Sequence, residues 1–148
     1  MILADKRDYK KGYRKHYHTY QLLNSKNEAV LSKRLLLVYS VECGLKYKLL
    51  EKWEVVSSEE IREILSDKNH PKHTILGTHN LRKILKELGQ EGEFHFPEMA
   101  TVHKDKISIG DYHQMQRYGI QADDRDIKKE EQLEKVLQKI AVWIEEEI

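Results

Sequence analysis

The tyrosines near the start of the chain fall at Tyr9, Tyr13, Tyr17 and Tyr20, with Leu23 following. This four-four-three spacing collects one apolar face and predicts a helix from about Asp5 to Leu23. Ser25-Lys26-Asn27-Glu28 then has the form of a capping box, a serine with a glutamate three residues on, so a second helix is expected to open there and run to about Trp53. At about 100° per residue, Leu31, Leu35, Val38, Tyr39, Leu45, Leu49 and Trp53 lie on one broad arc of that helix. Glu42 and Lys46 fall near the middle of the arc, where leucines are expected.

Ser57-Ser58-Glu59-Glu60 repeats the start signal before a short helix through Leu65, and Asp67-Lys68-Asn69-His70-Pro71 ends it, because the residue before proline avoids helical geometry. A loop follows to Gly77. Thr78 is a suitable N-cap for a helix from His79 to Leu88, with Leu81, Ile84, Leu85 and Leu88 as its stripe and Gly89 as its left-handed stop. Residues 89–110 form a long connection whose Phe94, Phe96, Met99, Val102, Ile107 and Ile109 call for burial, so it is expected to pack down, with room for a short hairpin. Asp111 opens a helix through Tyr118 that Gly119 stops. The last helix, about Asp126 to Glu147, places Leu133, Val136, Leu137, Ile140, Trp143 and Ile144 on one side.

The pattern predicts an all-α fold, and 148 residues suit one domain spanning 1–148. The scarcity of proline and glycine, 2 and 7 residues, agrees with long helices. The net charge of +1 gives no global pull towards nucleic acid, but its distribution is uneven. Lys6, Arg7, Lys10, Lys11, Arg14 and Lys15 crowd the first helix, whereas acidic residues dominate from Asp123 onward, so pairing between the first and last helices, or across a dimer, is expected. The lone Cys43 excludes a disulfide framework and a thiolate zinc site. No stretch approaches the roughly 18 apolar residues of a membrane span, and the first residues are too short for a signal peptide, so a cytoplasmic protein is expected.

Glu42 and Lys46, four apart with the acid first, can pair, but burying even a paired charge costs several kcal/mol unless further polar groups complete it. Two readings stand side by side: a structural ion pair that fixes helix register, or a polar cleft completed by other helices. His79, and His113 with Arg117 at spacing four, are the candidate neighbours. In the first helix Tyr13-Arg14-Lys15-His16-Tyr17-His18 interleaves cations and aromatics, a pattern that can follow a phosphate backbone, and Lys10, Arg14 and His18 are its RNA-binding candidates. The ordinary use of such a stretch is a core wall with a solvated edge. His70 and His73 lack further ligands nearby, so no metal is expected.

The order of a long helix with Glu42-Cys43-Gly44-Leu45-Lys46, then Thr78-His79-Asn80-Leu81 opening a helix with Leu85 behind it, then Arg117-Tyr118 closing a later one, resembles the HEPN superfamily of small helical domains over about residues 25–120. The resemblance implies a four- to five-helix up-and-down bundle with a long loop at 89–110, acting as a homodimer or as a subunit of a larger complex. It also implies no cofactor, and work in an RNA-related toxin or antiviral-defence system through protein or RNA binding. Many members are metal-independent ribonucleases whose signature is an arginine followed by four to six residues and a histidine. Arg117 matches the arginine and Glu42 a supporting acid, but Ala122-Asp123-Asp124 stand where the histidine belongs. Binding is therefore the expected mechanism. The alternative is a ribonuclease with a non-standard site of Glu42, Lys46, His79, His113 and Arg117.

Overall fold

The computed structural model describes residues 3–28 and 30–147, with Leu31 described by its backbone alone. Seven α-helices form among these residues: α1 (Lys6–Ser25), α2 (Val30–Lys52), α3 (Ser58–Ser66), α4 (His73–Leu76), α5 (Leu81–Glu87), α6 (Ile109–Arg117) and α7 (Ile127–Glu147). Between α5 and α6 an antiparallel ribbon pairs β1 (Met99–Ala100) with β2 (Lys106–Ile107), and a 3-10 turn over Asp124–Asp126 leads into α7. The all-α class expected from the sequence is the one formed. The resemblance implies four or five helices and the hydrophobic pattern six; the seventh forms because the loop before Gly77 winds into the single turn of α4.

Helix ends carry most of the local logic. Asp5 caps α1 by accepting from the Asp8 N–H, and the Asp8 carboxylate accepts in return from the Asp5 N–H, a reciprocal capping box. The capping box expected at Ser25 is not built. Those residues instead close α1: Asn27 takes φ +53°, its N–H donates to the Asn24 carbonyl and the Glu28 N–H to the Leu23 carbonyl, a Schellman motif with asparagine in the left-handed position. The Ser25 hydroxyl donates to Leu22 within the same turn. Glu54, Gly89 and Gly119 close α2, α5 and α6 in the same way, with N–H groups of Val55, Gln90 and Ile120 reaching back to Leu50, Leu85 and Met115. Two further starts differ from expectation. Asn80, not Thr78, caps α5, and α6 opens at Ile109, two residues before Asp111.

The pattern of α2 misled for a physical reason. It lies at the centre, packed by α1, α5, α6 and α7, so its buried residues run round the whole cylinder: Leu37, Val38, Val41, Leu45, Leu49 and Leu50 are all closed to solvent. Leu35 and Tyr39, placed on the expected arc, are only half-buried, and the side chain of Leu31 lies outside the described residues. At Gly44 a Cβ would stand 2.8 Å from Ile144 and 2.9 Å from Tyr13, so the missing side chain is what lets α1 and α7 meet over α2. A second, smaller core of Leu50, Val55, Ile61, Ile64 and Leu76 seats α3 and α4 under the end of α2.

The connection at 89–110 packs down as expected, with Phe96, Met99 and Ile109 in the main core, although Val102 is exposed. Asp123 and Asp126 pin the ribbon to the start of α7: the Asp126 carboxylate accepts from the Ala100 N–H at 2.7 Å and the Asp123 carboxylate from Lys104 and Arg125. The expected pairing of α1 cations with α7 acids does not form among the described residues. The buried acids Glu130 and Glu134 of α7 are met by Arg34 and Lys33 of α2, and α1 reaches α7 through hydroxyls, Tyr13 to the Ala141 carbonyl and Tyr20 to Glu134. No described helix is long and apolar enough to cross a membrane.

Candidate functional site

Glu42 and Lys46 sit one turn apart on α2, their side chains 14% and 8% exposed, with Lys46 Nζ donating to Glu42 Oε2 at 3.3 Å. The second carboxylate oxygen is met from another element. His79 Nδ1 lies 2.9 Å from Glu42 Oε1, so Nε2 is the ring nitrogen that Glu42 does not engage. His79 precedes the α5 cap in a stretch fixed by its neighbours: the Thr78 hydroxyl accepts from the Asn80 N–H, and the Asn80 amide oxygen from the Arg82 N–H.

Gly110 lets α6 in. A Cβ there would stand 3.4 Å from the Asn80 amide, so the first turn of α6 lies against the α5 cap. One turn on, the His113 ring comes to 4.6 Å from that of His79, tilted by 36°. His113 is buried and its Nδ1 has no hydrogen-bond partner. A further turn on, Arg117 is exposed and donates through Nη2 and Nε to the Tyr39 hydroxyl at 3.0 and 3.4 Å. Tyr39 lies three residues before Glu42 on α2, and the half-buried His16 of α1 places its ring 6.5 Å from the Tyr39 ring. Arg117 has no carboxylate partner among the described residues.

The result is a polar cluster where α1, α2, α5 and α6 meet, with one carboxylate, two cations and three imidazoles. Burial first, then His79 and Arg117, push the His113 imidazole below its ordinary 6.5, while Glu42 and Asp111 pull it back. The unfolded chain therefore takes up this proton before the folded one does. The contribution of His113 to stability is complete above pH 6.5 and is lost as pH falls towards the lowered folded value. Urea titrations should show the wild-type midpoint falling on acidification below pH 6.5, with a smaller fall in His113→Asn. An equal fall in both would assign the slope to other groups.

Of the residues singled out in the sequence, Glu42, Lys46, His79 and His113 are brought together and Arg117 borders them. Lys10, Arg14 and His18 are elsewhere. Lys10 stands 5.5 Å over the Tyr47 ring, and Arg14 also acts on Tyr47, on a different side of α2 from Glu42. His18 faces solvent. His70 and His73 serve the turn around Pro71, accepting from the Lys72 N–H and bonding the Ile64 carbonyl, and the described residues hold no cluster suited to a metal. In the cluster the Lys46 ammonium already occupies one oxygen of Glu42.

Sequence reasoning missed Tyr39, read as part of the apolar arc of α2, and His16, read only within the cation–aromatic stretch of α1. It also missed a second polar centre. Arg34 bridges Glu130 and Glu134 at 2.9 and 2.7 Å, Lys33 reaches Glu134 at 3.5 Å, and Tyr20, Tyr112 and Gln116 donate to the same two carboxylates, nearly all of it closed to water. The available signals were the spacing-four pairs Glu130 with Glu134 and Tyr112 with Gln116, aligned with two cations inside the apolar run of α2. With two acids and two bases this centre is balanced, whereas the cluster carries excess positive charge and opens to solvent at His79 and Arg117. No family model, curated protein or solved structure matches this chain.

Proposed function

We propose that the chain is a HEPN-like helical protein that binds RNA at the exposed edge of the Glu42, Lys46, His79, His113 and Arg117 cluster. In this reading it is a cytoplasmic component of an RNA-related toxin or antiviral-defence system, working as a homodimer or within a larger complex. The observation that supports it is the exposed Arg117, held by a tyrosine and by no carboxylate among the described residues, together with a half-exposed histidine whose Nδ1 is engaged by Glu42. A guanidinium can grip a phosphate with two N–H groups, and an imidazole beside it adds a polar contact.

A second reading, a metal-independent ribonuclease, is favoured by one specific feature. Glu42 orients His79 as an acid orients a general base, and His113 stands beside it as a second imidazole. Attack of a ribose 2′-hydroxyl on its own phosphate needs a base, an acid and a cation on the phosphoryl oxygens, and His79, His113 and Arg117 can take those roles.

Titrating wild type and Arg117→Ala with radiolabelled tRNA in EDTA separates the readings. Binding without cleavage is expected for the first, with the salt slope of log Kd about one unit shallower in the variant, as for loss of one phosphate contact. Strand scission by wild type that the variant lacks supports the second. Binding identical in the two proteins, or none in either, overturns both.

A further inference from the structure

Tyr118 stands beside Arg117 and is 70% exposed, more than any other large apolar side chain among the described residues. Its backbone is nonetheless fixed. Tyr118 is the C-cap of α6, its N–H donating to the Gln114 carbonyl, and the left-handed Gly119 that follows is held by its own bond to Gln116. The ring pairs with no other aromatic among the described residues, so its faces are open. Arg117 has the half-buried Tyr39 as its hydrogen-bond partner and the exposed Tyr118 as its neighbour in the chain.

An exposed aromatic on a rigid backbone beside a phosphate-ready cation and an imidazole is suited to a base stacked on the ring with its own phosphate on the cation. The exposed residues nearest Tyr118 along α6 are Gln114 and Arg117, both polar. We infer that Tyr118 is the stacking platform of the cluster, taking one unpaired nucleotide whose base lies on its ring and whose phosphate meets Arg117. This rests on the RNA-binding reading above and adds the residue that recognises a base. A base inside a duplex offers no free face to the ring, so paired RNA loses this contact.

The test uses the full chain and fluorescence anisotropy on ice in EDTA, with three probes: a labelled single-stranded oligoribonucleotide, the same strand in a blunt duplex, and an abasic strand of equal length. Wild type should bind the single strand about tenfold or more tightly than either of the others, in line with one stacked base. Tyr118→Leu should lose that preference and bind all three alike, while Tyr118→Phe keeps it. Should Arg117→Ala weaken binding while Tyr118→Leu behaves as wild type, the platform is overturned and the RNA site stands. If no probe shows binding that depends on Arg117, the RNA reading falls and the platform with it.

Discussion

Arg34→Met should destabilise the fold by about 3–5 kcal/mol, because it leaves two buried carboxylates without the cation they share. Arg34 donates to Glu130 at 2.9 Å and to Glu134 at 2.7 Å, and all three side chains are at most 14% exposed. Lys33 remains, but it reaches only Glu134 and also donates to Asn24. Burial pushes the Glu134 carboxyl up, and bonds from Tyr20 and Arg34 outweigh that and hold it below its ordinary value. Without Arg34 the balance reverses, so the loss should shrink in mildly acidic solution, where the carboxylates can protonate. Urea midpoints of wild type and variant at neutral and mildly acidic pH check this. Arg34→Lys should recover only part of the loss, since an ammonium lacks the fork that spans two acids. A loss under about 1 kcal/mol for the methionine variant would mean that water reaches these groups and screens them.

Glu42→Leu is expected to cost a comparable amount, for the mirror-image reason. Lys46 has Glu42 as its one ion-pair partner among the described residues and is 8% exposed, so the leucine variant strands an ammonium in the core. Breaking a buried pair from one side typically costs about 3–5 kcal/mol, whereas replacing both partners with apolar groups of similar volume is often neutral or better. Glu42→Leu/Lys46→Met should therefore recover most of the stability lost by the single variant. Chemical denaturation of the two variants measures this difference. Recovery would show that the fold does not need the pair, leaving the cluster itself as the reason for charges at these positions. A double variant as unstable as the single one would support the plainer reading, an ion pair that fixes helix register.

The fold was legible wherever a helix has one wet face and one dry face. The tyrosine rhythm of α1, the leucine stripe of α5 with Gly89, the Gly119 stop and the stripe of α7 all stand where periodicity placed them. In α2 the signal failed because no face is wet. Lys33 and Ser40 are buried there beside leucines, and a helix closed on every side has no stripe to read. At Ser25-Lys26-Asn27-Glu28 one short segment fits either the start of a helix or the end of the previous one. The asparagine, tolerant of a positive φ, decided it in favour of the end.

The cluster was legible because charges among leucines are conspicuous, and His79, His113 and Arg117 followed each other at helix starts and turns. The second polar centre was not, since Arg34 reads as a surface cation, and Glu130 and Glu134 as ordinary polar positions of an amphipathic helix. Only the packing of α7 on α2 turns them inward. The basic residues of α1 show the opposite case. Of the RNA-binding candidates Lys10, Arg14 and His18, Arg14 and His18 face solvent, yet α1 turns His16, not these residues, towards Tyr39.

The eight histidines supply the most direct test of where RNA sits. With their ring resonances assigned, addition of a single-stranded oligoribonucleotide should move those of His79 and His113 together. His18 on the outer face of α1, and His70 and His73 beside α4, should stay in place. Movement of His18 with His79 and His113 unchanged would put the RNA on the first helix and contradict the cluster as its binding site.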